Sequence, residues 1–276
     1  MVQYTGIGNS PLTVFCISFA LPPGCRHCPF SHENVKDKTN RIQQPALLHE
    51  EWDEGVLFSL SKDKNKPIKV LFNSGGKDSF LTMRALAREC RQSSEPFSLI
   101  LLTTFDTTSR IIAHQEFSID TVVKQARHLR ISLVGVPFHR DTSETYVARI
   151  QRALNVIQKR TGQYPATLVF GDLHLEGIRN WRDTMLGNAF PQLRFEYPLW
   201  KVDYEKLLTD LESSGVVPLL SASTKDGVEV GTKFTREFVE KIKKKDIDAF
   251  GENGEFHSSA ETWLVSRGLA LGLHPQ

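Results

Sequence analysis

From Pro67 onward, short apolar runs alternate with segments in which apolar residues recur at helical spacing. The runs 68–72, 97–104, 131–136 and 166–170 read as buried strands. Between them, 78–91, 119–129 and 144–159 read as helices, and a further helical stretch runs through Trp181. In 119–129 the residues Val122, Val123, Ala126 and Leu129 fall on one side. Strands alternating with helices of this length predict parallel βαβ units in an α/β fold: a doubly wound, mostly parallel sheet with helices on both faces. Such sheets bind ligands outside the carboxyl ends of their strands, and the informative polar residues are expected there.

The two ends of the chain read differently. Residues 1–65 hold no sustained period of either kind and contain Pro22-Pro23 and two polar, charged runs, 31–44 and 61–66, so they are expected to form an extension or a small appended module. After Pro198, the pattern predicts a helix at 204–213, a strand at 216–220 and a basic amphipathic helix at 234–244. This divides the chain into an extension (1–65), a nucleotide-type domain (66–200) and a smaller C-terminal α+β domain (201–276) that closes over the crevice.

Composition narrows the function classes. The chain has 276 residues, with 34 Lys plus Arg against 32 Asp plus Glu, a formal charge of +2. That balance argues against a long nucleic-acid footprint, and the cluster Lys241, Lys243, Lys244 and Lys245 reads as a solvated helix end. No apolar run approaches the ~18–20 residues that span a bilayer. The apolar stretch 12–21 is preceded by no Lys or Arg, which disfavours a secretory signal and leads us to expect a cytoplasmic protein without membrane contact. Four cysteines are too few for a disulfide scaffold in a chain of this length. Cys25 and Cys28 form a C-x-x-C with Cys16, His27 and His32 nearby; a Zn²⁺ knuckle, a redox pair and incidental cysteines all fit that spacing. Cys90 falls on a helix and is expected in the core.

Three blocks carry chemistry. The first is Ser74-Gly75-Gly76-Lys77-Asp78-Ser79, between a strand and a helix. Two glycines permit close backbone approach, the helix start offers unpaired N–H groups to an anion, Ser74 and Ser79 add hydroxyls and Lys77 adds charge. Asp78 beside a phosphate implies an intervening Mg²⁺ or a role in favouring the helix start. The spacing is not that of the G-x-x-x-x-G-K-[ST] loop. The second block contains Gly171, Asp172, Glu176, Arg179, Trp181 and Arg182 at a strand end that opens a helix. Its arginines suit an anionic ligand, and its carboxylates, Asp172 above all, suit a metal ion such as Mg²⁺. The third is Gly251-Glu252-Asn253-Gly254-Glu255-Phe256-His257, whose two carboxylates and histidine on a glycine turn fit either general-base work or a plain polar turn. Asp106, at the end of the second strand, is a further candidate ligand contact, on the ribose or adenine side if the ligand is a nucleotide.

The first block resembles the pyrophosphate loop of the PP-loop ATP pyrophosphatases (adenine nucleotide alpha hydrolase-like). Together the blocks are similar to the diphthine–ammonia ligase family and its bacterial paralogues over about 68–258. The similarity includes Ile112-Ala113-His114, Gln125-Ala126, Tyr146 and Pro198-Leu199-Trp200. The resemblance implies cleavage of ATP between its α- and β-phosphates, adenylation of a carboxylate and displacement of AMP by ammonia from a free or donor source. For the diphthamide branch the protein substrate is elongation factor 2 carrying diphthine. On this reading Ser74, Gly75, Gly76, Lys77 and Ser79 hold phosphates, Asp78 or Asp172 lies near Mg²⁺, and Glu252, Glu255 and His257 face the acceptor and amine. The third block has its histidine at 257, a form similar to the paralogous branch associated with corrinoid metabolism. Sulfur transfer to RNA and a non-catalytic ATP sensor are the rival expectations.

Overall fold

The computed structural model describes residues 42–112, 115–139, 143–245 and 247–273. Cys16, Cys25, His27, Cys28, His32, Ala113 and His114 lie outside them. At the centre is a six-stranded sheet built from β1 (Ala46–His49), β2 (Ile68–Phe72), β3 (Ser98–Asp106), β4 (Ser132–Phe138), β5 (Thr167–Val169) and β6 (Arg194–Glu196), in the order β1-β4-β3-β2-β5-β6. All neighbours are parallel except β1, which runs antiparallel to β4.

Alternation along each strand explains the layering, because successive side chains point to opposite faces. Leu71, Leu99, Leu101, Leu133 and Val169 join one core with α1 (Lys77–Gln92) and α2 (Ile119–Leu129). Val70, Ile100, Leu102, Val134 and Leu168 join the other with α3 (Tyr146–Thr161) and α4 (Glu176–Ala189). Helices therefore flank both faces, as the sequence predicts. Cys90 is buried and its thiol points at the Phe97 carbonyl, 3.8 Å away.

The predicted helix at 119–129 is α2, with Ser118 as its N-cap: the Ser118 side chain accepts from the Asp120 N–H. The helix expected at 204–213 is α5 (Tyr204–Ser213), capped by the Asp203 carboxylate. Other boundaries move. The strand expected at 216–220 is β7 (Leu219–Ser223), since Pro218 has no N–H to give a ladder, and it pairs antiparallel with β8 (Phe256–Ser259). The expected helix 234–244 is α6 (Arg236–Ile242), capped by Thr235 and followed by a single 3₁₀ turn at 243–245. A last short helix, α7 (Arg267–Leu271), returns to α1, where Arg84 donates to the Leu269 and Ala270 carbonyls.

Two findings redraw the expected domain edges. Residues 46–60, expected in the extension, supply edge strand β1 and the buried side chains Val56, Phe58 and Leu60. A strand as short as Ala46–His49 produces no readable period on its own. At the other end, Leu207, Leu211, Phe234, Phe250 and Phe256 belong to the same core cluster as Leu71 and Phe80, and the described residues cluster as one compact unit.

The docking of β1 is testable. A Cβ on Gly135 of β4 would lie 2.6 Å from Leu48 Cδ1 and 3.2 Å from Phe105 Cε1. Gly135→Ala is expected to destabilise the protein by about 1–3 kcal/mol through overpacking. Denaturant midpoints measure this; an unchanged midpoint would show that β1 does not press on β4.

Among the described residues, no helix is long and apolar enough to cross a membrane.

Candidate functional site

In chain order the parallel strands run β2, β3, β4 to one side of β2 and then β5, β6 to the other. The direction reverses between β2 and β5, and loops leaving their carboxyl ends meet there. The β2 loop is Asn73–Gly76, the first block. The β5 loop is Phe170–Leu175, the second. The hairpin from Asp248 to Phe256, the third, reaches the same place from the C-terminal part of the chain: Glu252 Oε2 accepts from the Leu173 N–H at 3.3 Å. Three blocks spread over more than 170 positions of sequence thus converge at the switch point of the sheet.

The loop of the first block is held tightly. Gly75 has φ +81°, a left-handed conformation that costs glycine little, and a Cβ there would lie 2.8 Å from Val122 Cγ2. Its N–H donates to Asn73 Oδ1 at 3.1 Å, and its carbonyl accepts from Gln125 Nε2 at 2.8 Å and from the Ala260 N–H at 3.0 Å. Gly76 is the N-cap of α1, and the Ser79 hydroxyl donates to its carbonyl. The N–H of Gly76 donates to Ser74 Oγ and that of Lys77 to Ser258 Oγ. The N-terminus of a sixteen-residue helix thereby lies at the switch point between β2 and β5.

Lys77 is only 3% exposed. Its Nζ donates to Asp78 Oδ2 at 2.8 Å and sits 5.3–5.7 Å from the rings of Phe234, Phe250 and Phe256. The phenylalanine box, which gives the ammonium cation–π contact and shields it from water, comes wholly from the C-terminal part. It is invisible in sequence, because Phe234 and the hairpin that bears Phe250 and Phe256 meet Lys77 only in the folded chain.

Around this cation lie more carboxylates than it can neutralise. Burial pushes the Asp78 carboxyl up, more strongly than Lys77 pulls it down, and Asp248 adds to the rise. Glu252 is pushed up to about 8, first by burial and then by Asp78, against a counter-pull from Lys77. One Asp78 oxygen, Oδ1, is buried without a hydrogen-bond partner.

Asp248 and Tyr204 are functional candidates that the sequence does not single out. Asp248 Oδ1 accepts from the N–H groups of Phe250 and Glu252 and so fixes the start of the hairpin. Its two oxygens face the Tyr204 hydroxyl at 3.0 and 3.1 Å, and burial with Asp248 raises the Tyr204 pKa. With that proton directed at Asp248, the His174 Nδ1–H at 3.0 Å donates to the Tyr204 oxygen. The available signal is the spacing of Asp248, two and four residues before the N–H groups it caps.

The remaining expected residues take more structural positions. Asp172 is held by Arg182 through contacts of 3.0 and 3.2 Å, so its charge is matched within the protein. One oxygen of each carboxylate, Asp78 Oδ1 and Asp172 Oδ2, is buried without a hydrogen-bond partner, and the second lies 3.0 Å from Arg182 Nε. Glu176 is largely exposed and paired with Lys201 at 2.8 Å, which holds its carboxyl below the usual range. Arg179 lies between the rings of Tyr197 and Trp200 at 4.6 and 4.7 Å, while Arg182 turns inward over Phe170. The two arginines expected on one helix face therefore serve different partners. Glu255 is buried, and its oxygens accept from the N–H groups of Asp248 and Asn253 and from Asn253 Nδ2. It builds the hairpin, whereas the expectation placed it facing the acceptor. His257 lies on β8 in register with Ala222. Asp106 is buried at the end of β3, where Oδ1 accepts from Thr108 N, Ser109 N and Ser109 Oγ. Trp181 is half-buried, 6.1 Å from the Tyr146 ring.

Among the described residues, no group of three or more His, Cys, Asp or Glu is arranged to hold a metal ion. One or two carboxylates beside a phosphate-bearing ligand is the usual protein share of a Mg²⁺ site, and Asp78 is a carboxylate that could serve in such a site. No protein-family model matches this chain, and no curated protein matches it.

Proposed function

We propose that this protein is an ATP-dependent C–N ligase of the PP-loop kind, with the PP-loop nucleotide-binding fold and a C-terminal α+β portion, 201–276, that covers the crevice. The observation that carries the reading is the convergence of the Ser74–Ser79 loop, Asp172 and Glu252 at the switch point of a doubly wound sheet. Lys77 and the N-terminus of α1 bind the β- and γ-phosphates of ATP. A substrate carboxylate oxygen attacks the α-phosphorus, the bond to the bridging oxygen breaks, and pyrophosphate leaves toward the cationic loop. Ammonia then attacks the acyl carbon, and AMP departs with the carbon–oxygen bond electrons. The amine must lose a proton on attack, and Glu252, which is raised to about 8 and faces the loop, is the group suited to accept it in its ionised form, so this step is favoured as pH rises toward 8. Mg²⁺, held by Asp78 and the phosphates, would offset charge on the departing pyrophosphate.

The acceptor class is a carboxylate, with diphthine on elongation factor 2 the first candidate and a corrinoid carboxylate the second. The uncommitted Asp78 oxygen and the raised Glu252 favour a catalytic site over a non-catalytic sensor. RNA thiolation draws no support from the described surface: Lys243 pairs with Glu205 and Glu240, and Lys245 donates to the Gly227 carbonyl.

The test is product analysis. Incubation with ATP, Mg²⁺, ammonium and diphthine-bearing elongation factor 2, or a corrinoid carboxylate, is expected to release AMP and pyrophosphate in proportion to amide formed. Release of ADP and phosphate instead would exclude adenylation.

A further inference from the structure

Three successive N–H groups at the start of α1, those of Gly75, Gly76 and Lys77, already have an oxygen in front of them. Gly75 donates to Asn73 Oδ1, Gly76 to Ser74 Oγ and Lys77 to Ser258 Oγ, at 3.1, 3.3 and 3.2 Å. Two of these oxygens belong to serine hydroxyls, which accept and also carry a proton of their own. Ser258 is the unexpected member: it comes from β8, 181 residues beyond Lys77, and is 3% exposed. Its carbonyl lies against the same loop, 2.9 Å from where a Cβ on Gly76 would stand, so the backbone of β8 fits only against glycine there.

A second observation points the same way. Asn73 is 3% exposed, and its Oδ1 is engaged by the loop, yet its Nδ2 is buried with no hydrogen-bond partner. An unpaired buried amide donor costs stability unless something accepts from it. Its carboxamide rests on the loop that offers N–H groups to an anion, so a phosphate oxygen is the acceptor its position suits.

We infer that Asn73 and Ser258 are phosphate-binding residues and that β8 completes the phosphate site from the far end of the chain. The inference rests on the PP-loop reading and extends it from the contiguous motif to donors outside it. When pyrophosphate or the phosphates of ATP enter, the Ser258 hydroxyl gives up its place on the Lys77 N–H. Hydroxyl and N–H then both donate to a phosphate oxygen, and the Asn73 Nδ2 gains its missing acceptor. The same motion ties the hairpin bearing Glu252 to occupancy of the loop, because Ser258 and Glu252 lie on one continuous segment. No bond is made or broken in this step.

Titration calorimetry of the full chain with inorganic pyrophosphate, and separately with adenosine, tests the inference. Ser258→Ala removes the hydroxyl. Asn73→Asp keeps an acceptor for the Gly75 N–H and replaces the unpaired donor by a charge of the wrong sign. Each is expected to weaken pyrophosphate binding roughly tenfold to a hundredfold while leaving adenosine affinity near wild type. Pyrophosphate affinity unchanged in both variants would overturn the inference and leave the PP-loop reading standing. Equal loss of both ligands with a lowered midpoint would also overturn it, by assigning the two residues a structural role. A wild type that binds neither pyrophosphate nor ATP would end the PP-loop reading and the inference together.

Discussion

Lys77→Met is expected to lower acceptor-dependent AMP formation by about a hundredfold to a thousandfold while leaving the fold intact. The magnitude is that of removing one preorganised charge from a site where negative charge accumulates on the leaving group. Retention of the fold follows from the environment. The Lys77 stem lies among Phe234, Phe250 and Phe256, and an unbranched thioether fills such a box well. Loss of the ammonium leaves Asp78 without its partner, but the Asp78 carboxyl is already pushed up by burial and takes a proton in place of a stranded charge. Steady-state rates and a thermal melt on the same preparation separate the two effects. Full activity in Lys77→Met would remove this residue from the chemistry.

The second large effect concerns pH. The Glu252 carboxyl rises from an ordinary value of 4.5 to about 8 in the folded protein, so between those values the native state holds a proton that the unfolded chain releases. Stability therefore falls as pH rises across that window, by up to about 1.4 kcal/mol per pH unit for one fully displaced group. Glu252→Gln, which cannot ionise, is expected to flatten this slope and to be the more stable protein at pH 8. Asp78 and Asp172, which face Glu252, and Lys77, which opposes them, are retained in the variant; Asp78, raised in the same sense, leaves a residual slope. Urea midpoints from pH 5 to pH 9 for both proteins measure the difference. Parallel curves would show that Glu252 is not buried among these charges. In the same variant amide formation is expected to fall more than adenylation, since only the second half-reaction asks Glu252 to accept a proton.

Much of the fold is legible because local signals agree with one another. In α2 the apolar spacing and the Ser118 cap mark the same start, and in α5 the Asp203 cap does so. β2 and β3 are apolar runs bounded by turns. The elements that escape are those whose stability is tertiary: Ala46–His49 and Arg194–Glu196 are too short to show a period and are ordered by pairing with β4 and β5. The single core shared by β2, α1 and the segments after 201 is likewise a property of packing, not of any window of sequence.

The site divides along the same line. Its glycine loops are readable, because close approach and positive φ leave a local mark at Gly75, Gly251 and Gly254. The roles of individual carboxylates are not. Nothing in Gly251–Glu255 says that Glu255 turns inward onto the Asn253 N–H while Glu252 reaches Leu173. Asp248, Tyr204 and His174 come from three separate segments and meet only in the folded chain. Ser258 becomes a neighbour of Lys77 by the same route.

The most direct measurement of the central claim is a crystal structure of the protein with Mg²⁺ and α,β-methylene-ATP, which cannot be cut at the relevant bond. The account predicts the β- and γ-phosphates at the N-terminus of α1, on the Lys77 N–H, the Ser258 hydroxyl and the Asn73 Nδ2, with the α-phosphorus facing Glu252. A nucleotide bound elsewhere, or one whose γ-phosphate rather than α-phosphate points into the crevice, would contradict it.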